Sequence, residues 1–311
     1  MENFINNSSQ QIKDYVLLKL ISKRNFSETF LIETRTAPRF LYLMSRYPLY
    51  LFKDENIKNH FFNSIDKLSK LSKINNAELY IIRYITHFID QSHLYLISEY
   101  KHSVLFKDLY NDLIKNRQKI PIYLNYQFQT NLCKSIISGL NWIHSHKFSH
   151  NNIQPASIWF SLENYSPYWS DLGFKIPKNP LYFSPELSAA MIEKQQNKYE
   201  NMNIFNESIE RQMSNDVWGL GVLIYYIITG RNLLIDDEFL TKEMTEQKIW
   251  SLIAQLRENN SLKIPKIEDF GVPPPHNLNK WRIFLFFILN PNPDKRPKIE
   301  QVMSFFNSNL I

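Results

Sequence analysis

The hydrophobic period of this chain changes once, near Tyr100, and that change limits the architectures open to it. Before it lie short runs rich in β-branched and aromatic residues: YVLLKLI from Tyr15, ETFLIET from Glu28, RFLYLM from Arg39, ELYIIRYITHF from Glu78 and HLYLISEY from His93. Polar or proline-containing breaks separate them, which predicts strands, the last two joined by a turn around Asp90–Ser92. One helical pattern interrupts the series, with Ile57, Phe61, Ile65, Leu68 and Leu71 lining a single face. After Tyr100 the helical period takes over. Phe128, Leu132, Ile136, Ile137, Leu140 and Ile143 recur on one face; helices are then predicted at Asp216–Thr229, at about Thr241–Asn259, and twice near the C-terminus beyond a Pro-rich break at Val272. A chain of 311 residues built this way holds one or two domains.

Composition removes several classes. The single cysteine, Cys133, rules out an intrachain disulfide and favours a reducing compartment. It sits inside an apolar helical pattern, so a buried thiol is expected rather than a nucleophile. The first residues lack a basic segment followed by an apolar core, and no secretory signal is expected. The longest apolar runs, Val222–Ile228 and Ile283–Leu289, are too short to span a bilayer. A soluble intracellular protein of the cytoplasm or nucleus is therefore expected. The net charge of +6 is modest, and a solvated surface without a nucleic-acid role is expected from it. Lys67, Lys70 and Lys73 form a stripe that reads as the wet face of a helix.

The most informative stretch, Phe148–Phe174, reads FSHNNIQPASIWFSLENYSPYWSDLGF. It resembles the catalytic loop and metal-binding motif of eukaryotic protein kinases, H-R-D-L-x-x-x-N followed by D-F-G. His150, Ile153, Pro155, Ile158, Asp171 and Gly173 fall at that family's structural positions. Ser184-Pro-Glu186 resembles A-P-E, Asp216-Val-Trp-Gly-Leu-Gly221 resembles D-x-W-x-x-G, and Arg296 in Asn-Pro-Asp-Lys-Arg-Pro matches the partner of the A-P-E glutamate. The resemblance implies an α+β, two-lobed fold. A polar tail would occupy residues 1–13, and a kinase-like domain residues 14–311. Within it the β-rich N-lobe would span about 14–99, the helical C-lobe about 100–311, with a polar insertion at about 193–213.

The positions that carry the chemistry depart from the family pattern. Asn152 stands at the catalytic aspartate, Ser157 at the metal-binding asparagine, Asn151 at the arginine and Gln154 at the lysine. An amide is no general base near neutral pH, and general-base catalysis is worth about 10²–10⁴-fold. Ser22, Arg24 and Ser27 replace the three glycines of the phosphate loop, with Phe26 at its tip, and their side chains would crowd a nucleotide. Met44 stands at the ATP-binding lysine, and its helix partner falls at Asn63 or Ser64, neither a carboxylate. Lys23 or Arg24 could supply charge from an unusual place. Ten residues separate Gly173 from Ser184, and Tyr182 is the one ordinary phosphosite among them, so control by phosphorylation is not expected. Ser98, just before Glu99-Tyr100, would leave room for adenine. His144, His146 and His150 suggest zinc, but they straddle a helix end without a cysteine or carboxylate cluster.

Taken together, these residues predict an inactive serine/threonine-protein kinase homologue, a pseudokinase, working as a protein-interaction scaffold or regulator. No catalytic or cofactor-binding residue is assigned. Asp171 is the one candidate metal ligand, as a vestige, and no cofactor is expected, with ATP and magnesium the ones to consider. The partner would be a protein, and Glu193–Met213 its candidate surface. Two other readings stay open: a divergent ATP-binding serine/threonine kinase with weak phosphotransfer, and a nucleotide-sensing switch without turnover.

Overall fold

The computed structural model describes residues 14–24, 27–115, 126–172, 179–197, 207–233, 245–259 and 278–310. The chain divides into two compact units, one made of residues up to Ser103 together with Ser161–Asn164, the other of Val104–Phe160 and Tyr165–Ile311.

The first unit is built on a five-stranded antiparallel sheet. Its strands are β1 (Tyr15–Arg24), β2 (Ser27–Thr34), β3 (Leu41–Pro48), β4 (Tyr84–Ile89) and β5 (His93–Glu99), in the spatial order β1-β2-β3-β5-β4. Helix α1 (Glu55–Ser72) starts where Asp54 caps it: the carboxylate accepts from the amides of Asn56 (2.8 Å) and Ile57 (3.4 Å), two donors that the first turn leaves orphaned. Phe61, Ile65, Leu68 and Leu71 of α1 are buried as their spacing predicts, while Ile57, in the first turn, is exposed. Lys67, Lys70 and Lys73 are exposed. The run ELYIIRYITHF is not one strand. Residues Ala77–Leu79 form a 3-10 turn after Asn76, whose φ is 66°, and pairing starts only at Tyr84. The β4–β5 turn is fixed by Asp90, whose Oδ1 accepts from the amides of Ser92 and His93, both at 2.7 Å.

The second unit is mainly helical, with α2 (Phe106–Lys115), α3 (Tyr126–Ser145), α4 (Pro185–Asn197), α5 (Ile209–Thr229), α6 (Glu246–Asn259), α7 (Leu278–Ile288) and α8 (Ile299–Asn309). Strands β6 (Ser103–Leu105), β7 (Ile158–Ser161) and β8 (Pro167–Trp169) form a small sheet. Helix α5 is its axis: Val217, Trp218, Leu220, Leu223, Ile224 and Ile227 are all buried, and Gly230 closes the helix at φ 72°. A Cβ at Gly219 would lie 3.0 Å from the Cβ of Ile153, so glycine is what lets α5 approach the loop that precedes β7. The stretch 193–213 is helical at both ends, in α4 and α5, and residues 198–206 within it lie outside the described residues. So do the tail 1–13, Phe26, Gly173 and the Pro-rich break at Val272.

Candidate active site

In the second unit, the loop from Ser149 to Ser157 hangs from one carboxylate. Asp216 of α5 is 2% exposed; its Oδ2 accepts from the amide of His150 (2.6 Å) and its Oδ1 from that of Asn151 (2.7 Å). The Nε2 of His144, near the end of α3, lies 3.0 Å from the same Oδ2. Ion-assisted bonds of this kind are shorter and about twice as strong as neutral ones. His150 packs edge-on against Trp169, ring centroids 4.7 Å apart. His144, His146 and His150 therefore go separate ways: His146 faces the carbonyl of Trp142 at 2.8 Å. Among the described residues no group of three histidine, cysteine or acidic side chains could hold a metal.

Side-chain amides make several of the loop's other bonds. Asn151 adopts φ 61°, a left-handed conformation that asparagine tolerates better than most residues. Its Nδ2 donates to Ser149 Oγ (2.5 Å) and to Gln212 Oε1 (2.9 Å), and Ser149 Oγ donates to that same Gln212 oxygen at 2.9 Å. Gln212 in turn donates to the carbonyl of Glu207 (2.7 Å). Sequence reasoning missed Gln212. It lies in a run so polar that a solvated surface was the natural reading, and only the fold turns it inward. The amide oxygen of Asn152, 5% exposed, accepts from Gln154 Nε2 at 2.8 Å. Ser157 is fully buried, and its hydroxyl finds no hydrogen-bond partner among the described residues. Asp171 also lies in the left-handed region, at φ 57°, which aspartate, like asparagine, adopts more readily than most residues. Leu172 beside it is buried.

The brace expected between Glu186 and Arg296 is present and bidentate, Nη1 to Oε1 at 2.7 Å and Nη2 to Oε2 at 3.0 Å. The guanidinium also donates to the carbonyls of Asn290 (3.0 Å) and Ser214 (2.9 Å) and lies 5.2 Å from the centre of the Trp218 ring. All three guanidinium nitrogens of this buried charge donate to acceptors, as burial demands. Ser184 donates to Asn215 Oδ1 at 2.8 Å, joining the Ser-Pro-Glu corner to α5. Tyr182 is buried.

In the first unit, Met44 is 3% exposed and packs with Ile32, Phe88, Tyr95 and Ile97. An ammonium there would be desolvated among apolar side chains, so methionine suits the site. Ser64 is buried and donates back to the carbonyl of His60 (2.9 Å), while Asn63 is exposed, so neither stands in for a carboxylate partner. Lys23 is exposed and bound to Glu28 (3.1 Å), which also holds Arg46 (2.5 Å). Those two cations hold the Glu28 carboxyl below its ordinary range, Arg46 having the larger effect.

Residues 51–305 match the protein kinase domain family. The chain belongs to that family. The chain is 21% identical to the probable serine/threonine-protein kinase fhkA of Dictyostelium discoideum, over 94% of this chain and 49% of that one. It is 20% identical to the serine/threonine-protein kinase PLK4 of Aedes aegypti, over 94% and 33%. It is 22% identical to an Aurora kinase of Debaryomyces hansenii, over 94% and 61%. The chain spans less than two thirds of the length of each of these relatives.

These findings correct one expectation. Asn152 and Met44 led to a homologue that is no enzyme, whereas the family match and the named relatives point to a kinase. The physical reason lies in the reaction. Phosphoryl transfer depends almost entirely on positioning and charge stabilisation, and loss of a general base removes about 10²–10⁴-fold rather than all of it. No helix among the described residues is long and apolar enough to cross a membrane.

Proposed function

We propose that this protein is a divergent serine/threonine-protein kinase whose main output is contact with a protein partner, as scaffold or regulator, with slow phosphotransfer from ATP as its chemistry. The observation that carries this reading is the loop held by hydrogen bonds to Asp216 yet lined with amides. A loop held this way positions a substrate hydroxyl. Asn152 can accept a hydrogen bond from such a hydroxyl but cannot take its proton, so the proton leaves by solvent or phosphate and the step is slow.

Magnesium binds through one or two carboxylates plus nucleotide phosphates, and Asp171 offers one such carboxylate. The orphaned hydroxyl of Ser157 is a second hard oxygen donor, of the kind this cation accepts. When bound, the cation would neutralise charge developing on the transferred phosphoryl group. The N-lobe would be residues 14–99 and the C-lobe 100–311, with the protein working inside the cell. The partner surface we assign is the exposed part of 193–213, excluding Gln212, which is core.

Thermal unfolding with ATP, with and without Mg²⁺ or Mn²⁺, tests the nucleotide part. Ligand at about 100 times its dissociation constant stabilises by about 2.7 kcal/mol, a shift of several degrees. The expected shift needs metal and disappears in Asp171→Ala. No shift at millimolar ATP, together with no radiolabel transfer, would overturn phosphotransfer. Partner capture that required Asp171 and ATP would overturn contact as the main output.

A further inference from the structure

Asp216 fixes the front of the loop through the backbone amides of His150 and Asn151. Those bonds leave one rotation open, because turning about the N–Cα bond of Asn151 swings its side chain and all that follows while the amide stays in place. Gln212 closes that rotation. It lies one turn before Asp216 on α5, on the same face, and is buried. The carbonyl of Glu207 only accepts, so the atom 2.7 Å from it is Gln212 Nε2, and this turns Oε1 toward the loop. There Oε1 accepts from Asn151 Nδ2 and Ser149 Oγ, both at 2.9 Å, and Asn151 Nδ2 also donates to Ser149 Oγ. The three side chains close a ring that carries no charge. With its amide on Asp216 and its side chain on Gln212, Asn151 is pinned at φ 61°.

We propose that Gln212 is a positioning residue for phosphotransfer: its carboxamide holds Asn151 in the left-handed turn that presents Asn152 to a substrate hydroxyl. The inference rests on the phosphotransfer reading above. Asn152 is the next residue in the chain, and its own anchors belong to the loop. Its amide donates to His150 Nδ1 (3.2 Å) and its Oδ1 accepts from Gln154 Nε2 (2.8 Å). Neither bond reaches α5, so the orientation of Asn152 against that helix is set through Asn151. The residue type at 212 follows from the two sides it serves. It must offer an acceptor to the loop and a donor to Glu207 at once; an ionised glutamate lacks the donor, and methionine lacks both. Ser149, Asn151 and Gln212 are all buried, so water does not make good a lost bond. In a reaction that depends on positioning, a shift of about 1 Å costs on the order of 10²-fold.

Gln212→Met keeps the side-chain length and removes both polar atoms. Radiolabel transfer from ATP to dephosphorylated casein should lose about 10- to 100-fold in kcat, with KM for ATP changed less than about threefold. Amide hydrogen exchange at Asn151 and Asn152 should speed up at least about tenfold in the same variant. Asn151→Gly separates positioning from stability, since glycine holds a positive φ without a side-chain prop. In that background Gln212→Met should cost less than about threefold in kcat, while the protein still melts earlier because Ser149 and the Glu207 carbonyl lose a partner. Where Gln212→Met fails to fold, Ser149→Ala, which opens the same ring, replaces it in the same cycle. An equal kcat loss in both backgrounds, a loss confined to KM, or unchanged exchange at Asn151 and Asn152 would each overturn the proposal. No transfer by the parent would overturn the phosphotransfer reading, and the exchange rates decide independently whether Gln212 holds the loop.

Discussion

Replacing Glu186 by glutamine tests the Glu186–Arg296 brace. The substitution keeps the shape and removes one charge, leaving a guanidinium whose side chain is 0% exposed without its counter-ion. Breaking a buried pair from one side costs about 3–5 kcal/mol, because the remaining charge stays desolvated. The carbonyls of Asn290 and Ser214 still accept from Arg296 and hold part of it in place, which argues for the lower half of that range. At roughly 2–4 °C per kcal/mol for a unit of this size, the unfolding transition should fall by about 6–15 °C. Chemical denaturation followed by tryptophan fluorescence gives the energy directly, since Trp218 lies under the guanidinium. The double variant Glu186→Leu with Arg296→Met separates pairing from packing. Removing both charges should cost less than removing Glu186 alone, because no orphan ion is left. A loss below about 1 kcal/mol in Glu186→Gln, the value of an exposed pair, would refute the reasoning, as would a double variant weaker than the single one.

Other outcomes follow from buried groups. Burial pushes the Cys133 thiol well above its ordinary range, so a thiol reagent at pH 8 should modify it only at the rate of unfolding, and at once in denaturant. Prompt labelling of the folded protein would disprove that burial. Desolvation and the bond to Asp90 raise the Tyr95 phenol to about 12, above its unfolded value near 10. Stability from this group is therefore complete below pH 10 and lost between about 10 and 12; Tyr95→Phe should flatten that alkaline limb, and an unchanged limb would count against it. Met44→Ala should cost about 2–5 kcal/mol by emptying the cluster of Ile32, Phe88, Tyr95 and Ile97, and a near-neutral result would show that Met44 does not fill it.

Much of the fold was legible because burial on one face writes a period into the chain. The spacing of Phe61, Ile65, Leu68 and Leu71 gave α1, and the short β-branched runs gave the strands. Where apolar residues crowd a run without a clean alternation, as from Glu78 to Phe88, period does not separate a turn from a strand, and the 3-10 turn at Ala77–Leu79 overlaps the start of the expected strand. Exposure of Ile57 and of Val16 to Leu20 was hidden for the opposite reason. An apolar residue carries the same letter whether or not the fold supplies something to cover it.

What the sequence determined by itself was the family pattern and the identity of its altered positions: Asn151, Asn152, Ser157, Met44 and Asp171 can be named without coordinates. It also set the pairing of Glu186 with Arg296, because that match rests on residue type and order. Tertiary structure alone decided what those changes do. Asn151 and Gln212 are far apart in the chain and both polar, and only the approach of α5 to the loop joins them in a buried amide network. The same holds for Asp216, which reaches two backbone amides across more than sixty residues. Hydrogen bonds act over about 3 Å, and the distance between residues remote in sequence exists only once the chain has folded.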